Sequence, residues 1–246
     1  NNLHLCIAEK MNHRKINFYN LGMDKDIATK EYFYKIIYDT LQPFIERRFT
    51  DYRICRIAVV IKGVNGNSSC NIHTDDNYLD ENRSTPLNIW TPLVSTNEIN
   101  GGLNMIPKSH HFASKIRGFG IPQYYHANQN ELMKYGVCLP TELGDSIAYN
   151  PGILHFSREN NSGILRPAIV IGIAPKNTEP LVYFGEKKWF KRKVYTMKMS
   201  LEDYIYWDEK TILKDKITDI IDYQKIPVDI RSYKNLLTLL QKETAC

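Results

Sequence analysis

From Tyr52 to Ala174 the chain runs as a series of short apolar segments, each closed by Gly, Pro, Asn or Asp. They are YRICRIAVVIKG (Tyr52 to Gly63), LNIWTPLV (Leu87 to Val94), GLNMIP (Gly102 to Pro107), YGVCLP (Tyr135 to Pro140), DSIAYN (Asp145 to Asn150) and RPAIVIGIA (Arg166 to Ala174). All are rich in β-branched or aromatic residues, and this pattern predicts strands rather than helices. Many short strands in one chain can hide their apolar faces only by closing on one another, so a β-sandwich or barrel flanked by helices is expected.

The flanks read differently. Between Asp24 and Phe49 the residues Phe33, Ile36, Ile37, Leu41, Phe44 and Ile45 recur at three- and four-residue steps, marking an amphipathic helix interrupted near Pro43. Beyond Phe184 the chain becomes charged and ends in SYKNLLTLLQKE, whose leucines predict a packed helix. With 246 residues and no internal repeat or low-complexity linker, one domain is expected over 1–246. Its β core covers about 52–184, with a helical segment at about 24–49 and a helical extension at about 185–246. Lys108 to Lys134 lacks periodicity and reads as a long loop with partial helix.

A composition of 43% hydrophobic and 24% charged residues argues against disorder and supplies a sizeable core. No apolar run is long enough to cross a bilayer, and the N-terminus has no basic and apolar signal pattern, so a cytoplasmic protein is expected. Cys6, Cys55, Cys70, Cys138 and Cys246 are odd in number and widely spaced, which reads as buried or idle thiols rather than a disulfide framework or zinc knuckle. The net charge of +5 is too mild to name a partner. In EKKWFKRK, Trp189 and Phe190 stand among cations, a pattern that can bind single-stranded nucleic acid but is more often a solvated strand or loop end.

One His-x-Asp triplet, His73 and Asp75 in NIHTDDNYLD, carries little weight alone. A second imidazole, His155 in GDSIAYNPGILHFSREN, gives it meaning, because a double-stranded β-helix can bring a returning strand back to the same mouth. Two imidazoles and a carboxylate leave coordination positions open, the pattern of non-haem Fe(II) oxygenases. Arg166 opens a later strand, and a guanidinium on a barrel floor must be paired or await an anion such as a dicarboxylate.

These pieces together resemble the Fe(II)/2-oxoglutarate dioxygenases, in their phytanoyl-CoA hydroxylase-like branch. The resemblance rests on HTD (His73 to Asp75), NIWTPLVSTNEINGGLNMIPKSH (Asn88 to His110), GDSIAYNPGILHFS (Gly144 to Ser157) and Arg166, and spans roughly Ile54 to Ala174. It implies a double-stranded β-helix, or cupin-like jelly roll, mainly β with flanking helices. It further implies Fe(II) on His73, Asp75 and His155, and 2-oxoglutarate held by Arg166 with contacts from Ser157 and Trp90. O2 is then the oxidant, succinate and CO2 the co-products, and hydroxylation of an unactivated C–H bond the reaction. A carboxylate at Asp75 separates the chain from related halogenases, which have Gly or Ala there. The chain departs from the family at Lys108, where a Gly is usual.

Duller roles are available for several of these residues. Ser157 could be a strand hydroxyl, Trp90 core filling, and Gly101 and Gly102 bulge or turn glycines. His110 and His111 read as turn residues, and Tyr124, Tyr125 and His126 as a packed lid more readily than pocket wall. A cupin-like metal enzyme without co-substrate and a catalytically idle binding module remain alternatives. Nucleic-acid demethylases of the superfamily have a second Arg where this chain has Gly172, which points to a small-molecule substrate instead. Specificity is expected from the loops Asn77 to Pro86 and His110 to Lys134 and from the terminal extensions; oligomeric state is left open.

Overall fold

The computed structural model describes residues 2–11, 16–64, 67–188, 191–208, 211–222 and 230–244. Its strands are β1 (Phe18–Asn20), β2 (Tyr52–Lys62), β3 (Cys70–His73), β4 (Leu87–Pro92), β5 (Asn104–Met105), β6 (Val137–Cys138), β7 (Ile147–Tyr149), β8 (His155–Ser157), β9 (Arg166–Pro175), β10 (Leu181–Lys188), β11 (Lys191–Lys198) and β12 (Ile217–Asp222). The α-helices are α1 (Asn2–Met11), α2 (Ile27–Arg48), α3 (Gln129–Leu132), α4 (Asp203–Tyr206) and α5 (Ile230–Thr244).

Two antiparallel sheets form the barrel: β1-β2-β9-β4-β7 and β3-β8-β5-β6. Long β2 and β9 pair from Tyr52 opposite Pro175 to Lys62 opposite Arg166 and form the centre of the larger sheet. Its inner face packs Trp90, Tyr149 and Ala168 against Leu103 and Met105 from the smaller sheet. Its outer face puts Ile57, Val59, Ile61, Ile169 and Ile171 against Phe33, Ile37 and Ile45 of α2. The expected mainly β, cupin-like architecture with flanking helices is what forms.

Two expectations about the flanks are corrected. Helix α2 runs unbroken through Pro43. A proline inside a helix costs about 3 kcal/mol, but Phe33 and Ile37 before it and Ile45 after it are all buried in the same core, so packing holds both halves in line. The segment from 185 onward is also not helical throughout: β10, β11 and β12 form a three-stranded antiparallel sheet, and among the described residues only α4 and α5 are α-helical there. Val182, Phe184 and Met197 join the main core while Tyr183 and Val194 join a second cluster on the other side. Both faces of β10 are covered, so its sequence lacks the clean alternation of a half-exposed strand, whereas β12 at the edge of this sheet is largely exposed. Helix α5 forms where its leucines predict, with Leu236 and Leu240 buried. Trp189 and Phe190, on which the nucleic-acid pattern depended, lie outside the described residues.

The turn at Lys108 adopts φ 62°, ψ −1°. This is the left-handed conformation that Gly takes most easily, reached here by a side chain that must accept the steric penalty. Gly101, at φ +72°, has a different constraint: a Cβ there would lie 2.5 Å from the Arg158 carbonyl oxygen and 2.9 Å from the Lys62 side chain.

The loop Lys108 to Lys134 is tied down by Arg117, which is 1% exposed. Its Nη1 donates to Glu81 Oε2 at 2.9 Å and to the Ser114 carbonyl at 2.6 Å, and its Nε donates to the Asp75 carbonyl at 3.0 Å. Glu81 is 5% exposed, so the pair is dry. Removing one member of such a pair strands the other charge, at a cost of about 3–5 kcal/mol. Arg117→Met is therefore expected to lose about that much stability in urea denaturation, and Glu81→Leu added to it should destabilise less than the two single changes summed.

Candidate functional site

Strands β3 and β8 pair with His73 directly opposite His155, and their rings lie 4.2 Å apart. Each imidazole is fixed by the carbonyl two residues before it: His73 Nδ1 to Asn71 at 2.8 Å, His155 Nδ1 to Ile153 at 3.0 Å. With Nδ1 donating, Nε2 is the nitrogen left to face the cavity, and both Nε2 atoms face one carboxylate. The chain leaves β3 after His73 and turns back, held by the Asp75 amide donating to the Pro151 carbonyl at 2.9 Å. Asp75 then lies 4.0 Å from His73 Nε2 and 3.7 Å from His155 Nε2.

The larger sheet completes the arrangement. Asn88 on β4 and Tyr149 on β7 are register partners, and both donate to Asp75 Oδ2, at 2.7 and 2.8 Å. Oδ1 is left to address a ligand. Burial opposes the ionised form of Asp75, but His155, His73, Arg56 and the Tyr149 hydroxyl outweigh it and hold the acid down to about 2. Burial, with His73 beside it, lowers His155 to about 4, so this imidazole is neutral at pH 7. Burial also opposes the charged form of His73, yet Cys70, 3.8 Å from its Nδ1, and Asp75 raise it to about 10. A cation arriving at Nε2 must displace that proton.

His73, Asp75 and His155 each offer a donor atom within 4.8 Å of the other two. Two imidazoles and one carboxylate oxygen suit a first-row divalent ion with open positions for further ligands. The residues thus fit the metal that the sequence implied.

At the opposite end of the cavity stands Arg166. It is 2% exposed, its Nε has no hydrogen-bond partner, and its guanidinium lies 5.8 Å from the centre of the Trp90 ring. Burial pulls it down to about 10, which still leaves it a cation at neutral pH. Ser157 follows His155 by two residues on β8 and so shares its face. Next to Arg166 in register is Lys62, fully buried. Its ammonium donates to the carbonyls of Ser68, Ser157 (3.4 Å) and Arg158 (2.7 Å), tying β8 to the turn after β2.

All six residues singled out in the sequence (His73, Asp75, His155, Trp90, Ser157 and Arg166) line one cavity of about 1060 Å³, counted out to its open mouth. The sequence reading missed Lys62, Asn88, Tyr149, Cys70 and Arg56. Asn88 and Tyr149 lay inside the quoted motif blocks, and the two-residue spacing of Asn88 and Trp90 on one strand face was the available signal. Wall residues Phe18, Asn20, Gly22, Tyr204 and Trp207 come from the terminal segments, as expected. Among the described residues, none of the loops 77–86 and 110–134 lines it. Tyr125 is instead buried in a separate core, its hydroxyl accepting from the Thr74 amide at 3.2 Å, and His110 stacks on His111.

Fold and site together place a candidate two-histidine, one-carboxylate metal site on a double-stranded β-helix. The profile of the family described as phytanoyl-CoA dioxygenase (PhyH) matches residues 33–168, more than half of the 246-residue sequence, and the chain belongs to this family. No curated protein matches it. Among solved structures, EvdMO1 is 18% identical over 70% of this chain and 42% of its own, with a TM-score of 0.49. AviO1 from Streptomyces viridochromogenes Tue57 is 18% identical over 73% of this chain and 84% of its own, at 0.48. EvdO2 from Micromonospora carbonacea var. aurantiaca, complexed with 2-oxoglutarate, is 14% identical over 70% and 71%, at 0.48. The chain spans less than half the length of EvdMO1. Among the described residues, no helix is long and apolar enough to cross a membrane.

Two outcomes follow for the carboxylate. Outer contacts of this kind are worth about 10–100-fold in metal affinity, so Asn88→Ala and Tyr149→Phe should each weaken Ni(II) binding by about that factor in competition titrations. The folded Asp75 acid constant lies below its ordinary 3.8, so its contribution to stability is complete above pH 4 and is lost as pH falls towards 2. In denaturation of the metal-free protein, wild type should lose about 2 kcal/mol over that interval that Asp75→Asn does not lose.

Proposed function

We propose that the protein is a non-haem Fe(II)- and 2-oxoglutarate-dependent oxygenase that hydroxylates an unactivated C–H bond of a small molecule. The observation that carries this reading is Arg166: a buried guanidinium, without a partner for its Nε, in the same cavity as two imidazoles and a carboxylate. A buried charge without a counterion is unfavourable unless an anion completes it, and a planar guanidinium matches a carboxylate in a two-point contact.

In this assignment His73, His155 and Asp75 hold the ion, and Asn88 and Tyr149 keep Asp75 Oδ2 engaged so that Oδ1 is presented. Arg166 takes the distal carboxylate of 2-oxoglutarate; the Ser157 hydroxyl and the Trp90 ring flank it. Leu103 and Phe156 line the cavity with apolar surface and help keep water from the reacting atoms. When bound, the ferrous ion and the keto acid supply the oxidising power that cleaves the C–H bond with O2 and releases succinate and CO2. Asp75 fills the position that related halogenases leave open, which favours hydroxylation. The reacting groups lie between two sheets rather than on an open basic groove, which favours a small molecule over nucleic acid.

Anaerobic titration with Fe(II) and 2-oxoglutarate should develop the visible charge-transfer band of the chelate. Arg166→Gln should weaken 2-oxoglutarate binding by about 100-fold or more, the scale for deleting one member of a buried charge pair, and leave Ni(II) affinity within about threefold. Absence of the band in wild type, or undiminished keto-acid affinity in Arg166→Gln, would overturn the assignment.

A further inference from the structure

The cavity has a second guanidinium, that of Arg56, which the chemistry above does not use. Across the larger sheet, Arg56 on β2 is opposite Gly172 on β9, Gly172 is opposite Asn88 on β4, and Asn88 is opposite Tyr149 on β7. These four positions make one straight row, and directly paired residues share a face. Asn88 and Tyr149 hold Asp75, so Arg56 stands in the row of the proposed metal centre, two strand spacings or about 10 Å from Asn88.

Arg166 lies six residues along β9 from Gly172, about 20 Å at the strand rise. The two guanidiniums therefore mark different ends of the same cavity, with Ala58, Val60 and Val170 lining the space between. These side chains are short, which keeps that space hollow. Gly172 contributes to the same end. A Cβ at this position would lie 2.8 Å from the Tyr78 ring and 3.2 Å from the Arg56 Cβ, so only a glycine leaves Arg56 its place across β9. Nη1 of Arg56 donates to the Asp76 carbonyl at 3.5 Å, near the limit of a hydrogen bond.

We propose that Arg56 anchors an anionic group of the primary substrate, so that the enzyme selects small molecules carrying a carboxylate or phosphate beside the carbon to be oxidised. This rests on the assignment of Arg166 to the keto acid, because only then is the anion at the metal end a different molecule. The planar fork of Arg56 would grip the oxyanion and fix the distance from that group to the reacting C–H bond.

The test is calorimetric, on the full chain loaded with Ni(II) and saturating 2-oxoglutarate, using phenylacetate and its uncharged analogue phenylacetamide as probes. Wild type should bind the acid at least tenfold more tightly than the amide. Arg56→Gln should lose that preference while keeping its melting temperature within a few degrees and still binding 2-oxoglutarate, and Arg56→Lys should recover part of the preference. No preference in wild type, or a preference that survives in Arg56→Gln, overturns the proposal. Two-oxoglutarate binding that depends on Arg166 beside an acid preference indifferent to Arg56 overturns this inference alone. Failure of wild type to bind 2-oxoglutarate overturns both readings.

Discussion

Two cations, Lys62 and Arg166, are buried side by side on β2 and β9, and the closed end of the barrel is organised around them. Charges taken out of water must be compensated, and the two are treated differently. Lys62, which burial and neighbouring Arg166 pull down to about 7, donates to three backbone carbonyls, of Ser68, Ser157 and Arg158, and these bonds fasten β8 to the β2–β3 connection. Gly101 leaves the space that its side chain crosses. Arg166 receives no such set of carbonyls and keeps its Nε unpartnered. In the proposed reading, the same burial that makes a lone guanidinium costly strengthens its hold on the distal carboxylate of the keto acid.

The cluster of His73, Asp75 and His155 is built differently. The Nδ1 side of each imidazole is held by the carbonyl two positions earlier in the chain rather than by an acidic residue. Orientation is thereby a local property of β3 and β8, and the cross-strand register then sets the two rings together. Asp75, by contrast, lies beyond the end of a strand and depends on distant partners: Asn88 and Tyr149 on its side chain, Pro151 on its amide, Arg117 on its carbonyl. The ligand with the least local support has the most tertiary support.

The terminal segments do more than cover the barrel. Helix α2 closes the outer face of the larger sheet, and β1 extends that sheet by pairing with the end of β2. Tyr204 on α4 and Trp207 just beyond it reach the cavity wall. The cavity wall is consequently shared between the barrel and segments far from it in sequence, whereas the long loop around Arg117 is a brace.

The primary sequence was enough for the barrel, because short β-branched segments punctuated by turn residues have few other ways to bury themselves, and it already singled out His73, Asp75, His155 and Arg166, which the fold brings into one cavity. It also contained Asn88, Tyr149, Lys62 and Arg56, but without a local sign of their roles. An asparagine or lysine in an apolar strand becomes interpretable only when register shows what it faces. The course of α2 through Pro43 and the strands β11 and β12 in place of the expected helix were decided by packing against the barrel, which outweighs local propensity. Side-chain identity is written residue by residue, whereas the pairing of one strand with another distant in the chain is a property of the folded whole, and the row that joins Arg56, Gly172, Asn88 and Tyr149 exists only there.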